Sequence, residues 1–73
     1  MRGTVTDFDE RRGLGEVTAG PEGDEVTYPF HCTAIVDGSR TIVPGTPVSF
    51  AVRPGGMGRW EATAVAPLAI PVA

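Results

Sequence analysis

Lysine is absent from this chain: all six basic residues are arginines, set against nine Asp and Glu, for a net charge of -3. That is the wrong sign for the electrostatic attraction with which nucleic-acid binding ordinarily begins, so any phosphate contact has to come from arginines clustered locally. The one cysteine, Cys32, excludes an intrachain disulfide and a Cys-rich metal centre, and the one histidine, His31, excludes a His-rich one. No apolar run approaches the ~18 residues of a membrane span, and the amino terminus enters a strand-like pattern without a basic and then apolar leader. A cytoplasmic location without membrane contact is expected.

At 73 residues the chain is one small domain, near the size at which a single core only just outweighs chain entropy, which leaves no room for a large catalytic cleft. Its 41% hydrophobic and 21% charged composition is that of a folded protein, and ten Gly with seven Pro indicate short elements separated by many turns. Gly3 to Phe8 mixes β-branched and polar residues as a strand does, and Asp9 to Gly13 turns the chain back. A second strand is predicted from Leu14 to Thr18, with Val17 on one face and Leu14, Glu16 and Thr18 on the other. Ala19 to Asp24 is a turn, and a third strand follows from Glu25 to about His31, with Val26, Tyr28 and Phe30 on its inner face. Pro29 cannot donate to a ladder, so that strand belongs at an edge or is irregular there. A long loop with one helical turn near Thr33 to Val36 leads to a fourth strand, Val48 to Val52, and a flexible loop, Arg53 to Gly58, leads to a fifth, Trp60 to Ala66. Residues 1–67 form the domain, and 68–73, with Pro71 within it, form a tail. Five short strands with a long third connection describe a Greek-key barrel of OB type, although strand count alone equally admits an SH3-like barrel.

Two segments carry more. Arg11-Arg12-Gly13-Leu14-Gly15-Glu16-Val17 and Tyr28-Pro29-Phe30-His31-Cys32-Thr33-Ala34-Ile35 sit in a frame with Gly3, Val5 and Phe8 before them and Gly45-x-x-Val48-x-Phe50-x-Val52 and Glu61-Ala62-Thr63-Ala64-Val65 after them. In order and spacing this frame resembles the cold-shock domain family with its two ribonucleoprotein motifs, over roughly Arg2 to Ala66. The resemblance implies an OB-like five-stranded barrel and binding of single-stranded RNA or DNA. It also places Asp7, Leu14, Glu16, Pro29 and Cys32 where the family carries aromatic rings, while Phe8, Arg12 and His31 match. Stacking on such rings contributes roughly 1 to 3 kcal/mol per base, so the binding it implies here is weak.

The candidate nucleic-acid-binding residues are Phe8, Arg12, Leu14, His31, Arg40 and Arg59, with Arg53 as a further loop arginine and guanidinium planes standing in for lost rings. Each has a plainer use. Phe8 suits the core or barrel rim, Arg11 and Arg12 suit ion pairs with Asp9 and Glu10, and His31 suits a surface hydrogen bond. Trp60 is expected to cover the end of the core, and Cys32 to be a packed small hydrophobe. The alternative reading is a protein-interaction module that uses Trp60, Leu14 and Pro29 as an apolar patch rimmed by acids. No enzyme is expected: a lone His, a lone Cys and scattered carboxylates lack the base and orienting partners that catalysis needs, and Gly13-x-Gly15 lacks the third glycine and helix of a dinucleotide site. No metal, cofactor or small-molecule substrate is implied.

Overall fold

The alternation read from the sequence becomes five strands in a computed structural model that describes residues 1–68. They are β1 (Arg2–Asp9), β2 (Leu14–Ala19), β3 (Val26–His31), β4 (Pro47–Pro54) and β5 (Trp60–Pro67), with short 3-10 turns at Cys32–Ala34 and Gly56–Gly58. The helical turn expected at Thr33 therefore starts one residue earlier. The strands pair antiparallel, in the order β3-β2-β1-β4-β5, and a single parallel bridge joins Ile35 to Val65. The end strands β3 and β5 approach one another, but no ladder joins them and the sheet is not closed.

The inward residues of these strands make one core. Val5, Val17, Phe30, Val48 and Val65 are fully buried, and Ala19, Ile35, Phe50 and Ala62 complete the cluster. Tyr28 is half-buried and packs its ring 5.7 Å from that of Phe50. The long loop before β4 is tied down by its backbone: Val36 N–H donates to the Val65 carbonyl, and Gly45 N–H donates to that of Val5.

Two side chains expected inside are not there. Val26 is 50% exposed, because it opens the end strand β3 opposite Ala19, at the rim of the sheet and outside the core cluster. Trp60 is 56% exposed, because it opens β5 opposite Pro54, directly after the glycine-rich loop and outside the core cluster. Both lie at strand ends, where alternation no longer decides burial. Of the expected tail, Leu68 donates its N–H to the Pro47 carbonyl, and 69–73 lie outside the described residues.

A bulge in β1 decides which residues face the solvent. Val5 pairs with Val17 and Asp7 with Glu16, so Thr6 is an extra residue on β1. Without it, strict alternation from Val5 would send Asp7 inward and Phe8 outward. With it, Asp7 faces out and Phe8 turns in. Phe8 pairs with Gly15, which pairs in turn with Phe30, and the two rings meet at 6.1 Å and 18° over the glycine between them. A Cβ on Gly15 would stand 2.6 Å from Phe30 and 2.8 Å from Phe8, so the position admits no side chain.

Candidate functional site

Register stacks the outward residues of β1, β2 and β3 in cross-strand rows. The first is a hydroxyl row, in which Thr18 is 3.1 Å from Thr6 and 2.9 Å from Thr27. The next is Asp7–Glu16–Pro29, three positions at which the family resemblance implies rings. The last is Asp9–Leu14–His31. Thus four of the five positions, Asp7, Leu14, Glu16 and Pro29, share one face of the sheet, while Cys32 lies beyond the end of β3 in the 3-10 turn.

The turn at one end of this surface is built by Asp9, whose Oδ1 accepts the backbone N–H groups of Arg11, at 3.0 Å, and Arg12, at 3.3 Å. This Asx-type closure, with Gly13 at φ 66°, sends the chain into β2. Asp9 therefore supports the backbone of the two arginines, and the ion pairing expected between their side chains and the neighbouring acids does not form. Among the described residues the ion pair is instead between Arg53 Nε on β4 and Glu61 Oε1 on β5, at 2.8 Å.

An open groove of about 420 Å³ runs over the rows, lined by Asp7, Asp9, Arg12, Leu14, Glu16, Pro29 and Arg59. Arg12 comes from the β1–β2 turn and Arg59 from the β4–β5 connection, so the fold brings two exposed guanidinium groups to one cavity from residues 47 apart in sequence. Three carboxylates share it. Leu14 is half-buried, and a proline ring supplies the other apolar wall. Pro29 and Arg59 also line an adjoining groove of about 260 Å³ with Val26, Thr27, Tyr28, Gly58 and Trp60.

The remaining candidates separate. Phe8, half-buried against Phe30, is on the inner side and offers no free ring to a ligand on the outer one. His31 is exposed at the end of β3 and lines a different depression with Thr33, Arg53, Glu61 and Thr63. Arg40 is exposed in the long loop at φ 60° and lines none of these grooves. Cys32 is half-buried beside Gly13, whose carbonyl accepts its N–H at 2.8 Å. Asp9 as a groove residue was not anticipated, since its turn-forming role gave the stronger local signal. In the same long loop, the Ser39 backbone N–H and then its hydroxyl hold the exposed Asp37 carboxyl below its ordinary value of 3.8.

Among the described residues no group of three or more His, Cys, Asp or Glu is placed to hold a metal ion, and no helix is long and apolar enough to cross a membrane. No protein-family model matches the chain, and no curated protein matches it significantly.

Proposed function

We propose that this chain is a divergent cold-shock-like domain that binds single-stranded RNA or DNA weakly, across the outer face of β1–β2–β3, in the cytoplasm and without catalysis. The observation that carries the reading is the convergence of Arg12, Leu14, Pro29 and Arg59 on one open groove, over the same row of positions to which the resemblance assigns nucleic-acid contact. The strand order supports the OB-type assignment: β1–β2–β3 form a meander, β4 returns to the free side of β1, and β5 comes round toward β3, the path of a Greek-key barrel short of its last ladder.

The groove's chemistry limits the affinity. Two guanidinium groups attract phosphate while three carboxylates repel it, and no aromatic ring lies in the Asp7–Glu16–Pro29 row. With Arg12 and Arg59 as the phosphate contacts, log affinity falls against log salt with a slope of about -1.4, shallow for a nucleic-acid binder. Fluorescence titration of a labelled mixed-sequence single strand at low and moderate salt tests this. Measurable binding with that slope supports the reading, and no binding even at low salt removes it.

A specific observation favours a second reading, contact with a protein. Trp60 and Val26 are exposed side chains that share a groove with Tyr28 and Pro29, and an exposed Trp beside apolar neighbours is a frequent anchor of protein interfaces. Loss of single-strand binding at all salt concentrations moves the assignment to this surface.

A further inference from the structure

The row Asp7–Glu16–Pro29 bears on which base a bound strand presents. This question rests on the single-strand reading above. Glu16 is the middle member: its Cα partners are Asp7 on β1 and Pro29 on β3, and all three line the groove with Arg12 and Arg59. Where an aromatic ring would accept the face of any base, a carboxylate accepts hydrogen bonds only, and it accepts through two oxygens held side by side.

The exposed edges of the four bases differ in what they offer such a pair. Guanine presents two adjacent donors, N1–H and the N2 amino group. Cytosine and adenine present one amino donor each beside an acceptor nitrogen. Uracil and thymine present one N–H between two carbonyl oxygens, which a carboxylate repels. A groove with carboxylates at its centre and guanidinium groups from two separate loops is arranged to hold the backbone by charge and to select the base by donor count.

We infer that Glu16, with Asp7 beside it, selects guanine in the single strand that crosses this groove, the base lying against the Pro29 ring with its N1–H and N2–H donated to the carboxylate. A carboxylate that would otherwise only repel the strand thereby becomes its specificity element. The discrimination expected from one bidentate pair of this kind is about tenfold in affinity.

The test uses a short labelled oligothymidine and the same strand with its central base replaced in turn by guanine, cytosine and adenine, alongside a mixed-sequence strand, all at one low salt concentration. The protein is the wild type and the isosteric variants Glu16→Gln and Asp7→Asn, with circular dichroism confirming that each is folded. Both sites are exposed, so folding is expected to be unaffected. The guanine strand should bind about tenfold more tightly than oligothymidine, and Glu16→Gln should abolish that ratio while tightening the oligothymidine complex. Equal affinity for all four central bases, with the mixed strand still bound, overturns the inference and leaves the single-strand reading standing. A Glu16→Gln variant that tightens every complex by the same factor also overturns it, since the carboxylate then acts only as a charge. If no strand binds, the single-strand reading itself fails and the inference fails with it.

Discussion

The inner and outer faces of β1–β2–β3 are made from alternating residues of the same three strands, yet they obey different constraints. Inside, Val5–Val17–Tyr28 and Phe8–Gly15–Phe30 form rows in which every volume is spoken for: Gly15 must lack a side chain so that two rings can close over it. Outside, Thr6–Thr18–Thr27 and Asp7–Glu16–Pro29 are exposed or half-exposed, and no neighbour fixes the size of Asp7, Glu16 or Pro29. The inner rows constrain shape, while the outer ones constrain charge and hydrogen bonding. A strand frame can therefore be kept while its outward surface varies, so the frame alone does not fix whether carboxylates or rings stand at Asp7, Glu16 and Pro29.

The largest effect should come from setting adjacent residues of β3 against each other. Phe30, 1% exposed, faces in, and Pro29 faces out. Phe30→Ala should cost about 3–5 kcal/mol, enough to leave so small a domain largely unfolded, whereas Pro29→Ala should stay within about 0.5 kcal/mol. Thermal unfolding followed by circular dichroism reads both, and similar losses from the two would break the distinction between the faces.

A smaller effect is expected from rebuilding the outer row. Asp7→Trp, Glu16→Phe and Pro29→Phe together create three ring platforms and remove two carboxylates. Single-strand affinity should rise by at least about tenfold, or roughly 1.4 kcal/mol, a discounted figure because stacking contributions at neighbouring sites are not additive. A folded triple variant that binds no better than wild type would show that this row is not the binding face.

The smallest effect concerns an exposed position governed by its backbone. Ala64, outward on β5, has φ 51°, in a bulge where β5 carries Ala64 and Val65 against Phe50 of β4. The left-handed conformation costs a non-glycine residue about 1–2 kcal/mol, and glycine gives back about 0.4–1 kcal/mol through its freer unfolded chain. Ala64→Gly should thus stabilise by about 0.5 kcal/mol, seen as a higher urea midpoint with an unchanged slope. An unchanged or lower midpoint would mean that the bulge carries no such strain.

Much of the sheet was legible because its strands alternate over several residues. Val48, Phe50 and Val52 alternate with polar or small residues, and the structure packs all three into or against the core, while the turns at Gly13 and Gly45 carry glycines at positive φ. The Thr6 bulge was not legible: nothing in Thr4 to Phe8 says that β1 holds one residue more than β2, and that residue decides whether Phe8 joins the core. Val26 and Trp60 were misassigned for a related reason, since an apolar residue at a strand end is buried only if something packs over that end. Of the candidate residues, Arg12, Leu14 and Arg59 line one groove, a convergence not legible in the sequence because it depends on how two separate connections meet, while Arg40 lies in a long loop anchored to Val5 and Val65.

The open seam between β3 and β5 has a thermodynamic consequence. β1 is laddered on both sides, by β2 and β4, whereas β3 is laddered only to β2 and holds a proline that donates no hydrogen bond. Like β5 at the other end, β3 therefore opens at lower cost than the doubly laddered β1, and it supplies a wall of the groove. A ligand seated against Pro29 must still that strand, which lowers its affinity by the entropy of ordering, and in doing so it raises the free energy of opening by the same linkage. Binding and folding of β3 are in this sense one equilibrium, so a weak ligand still leaves its mark as added protection of the strand it touches.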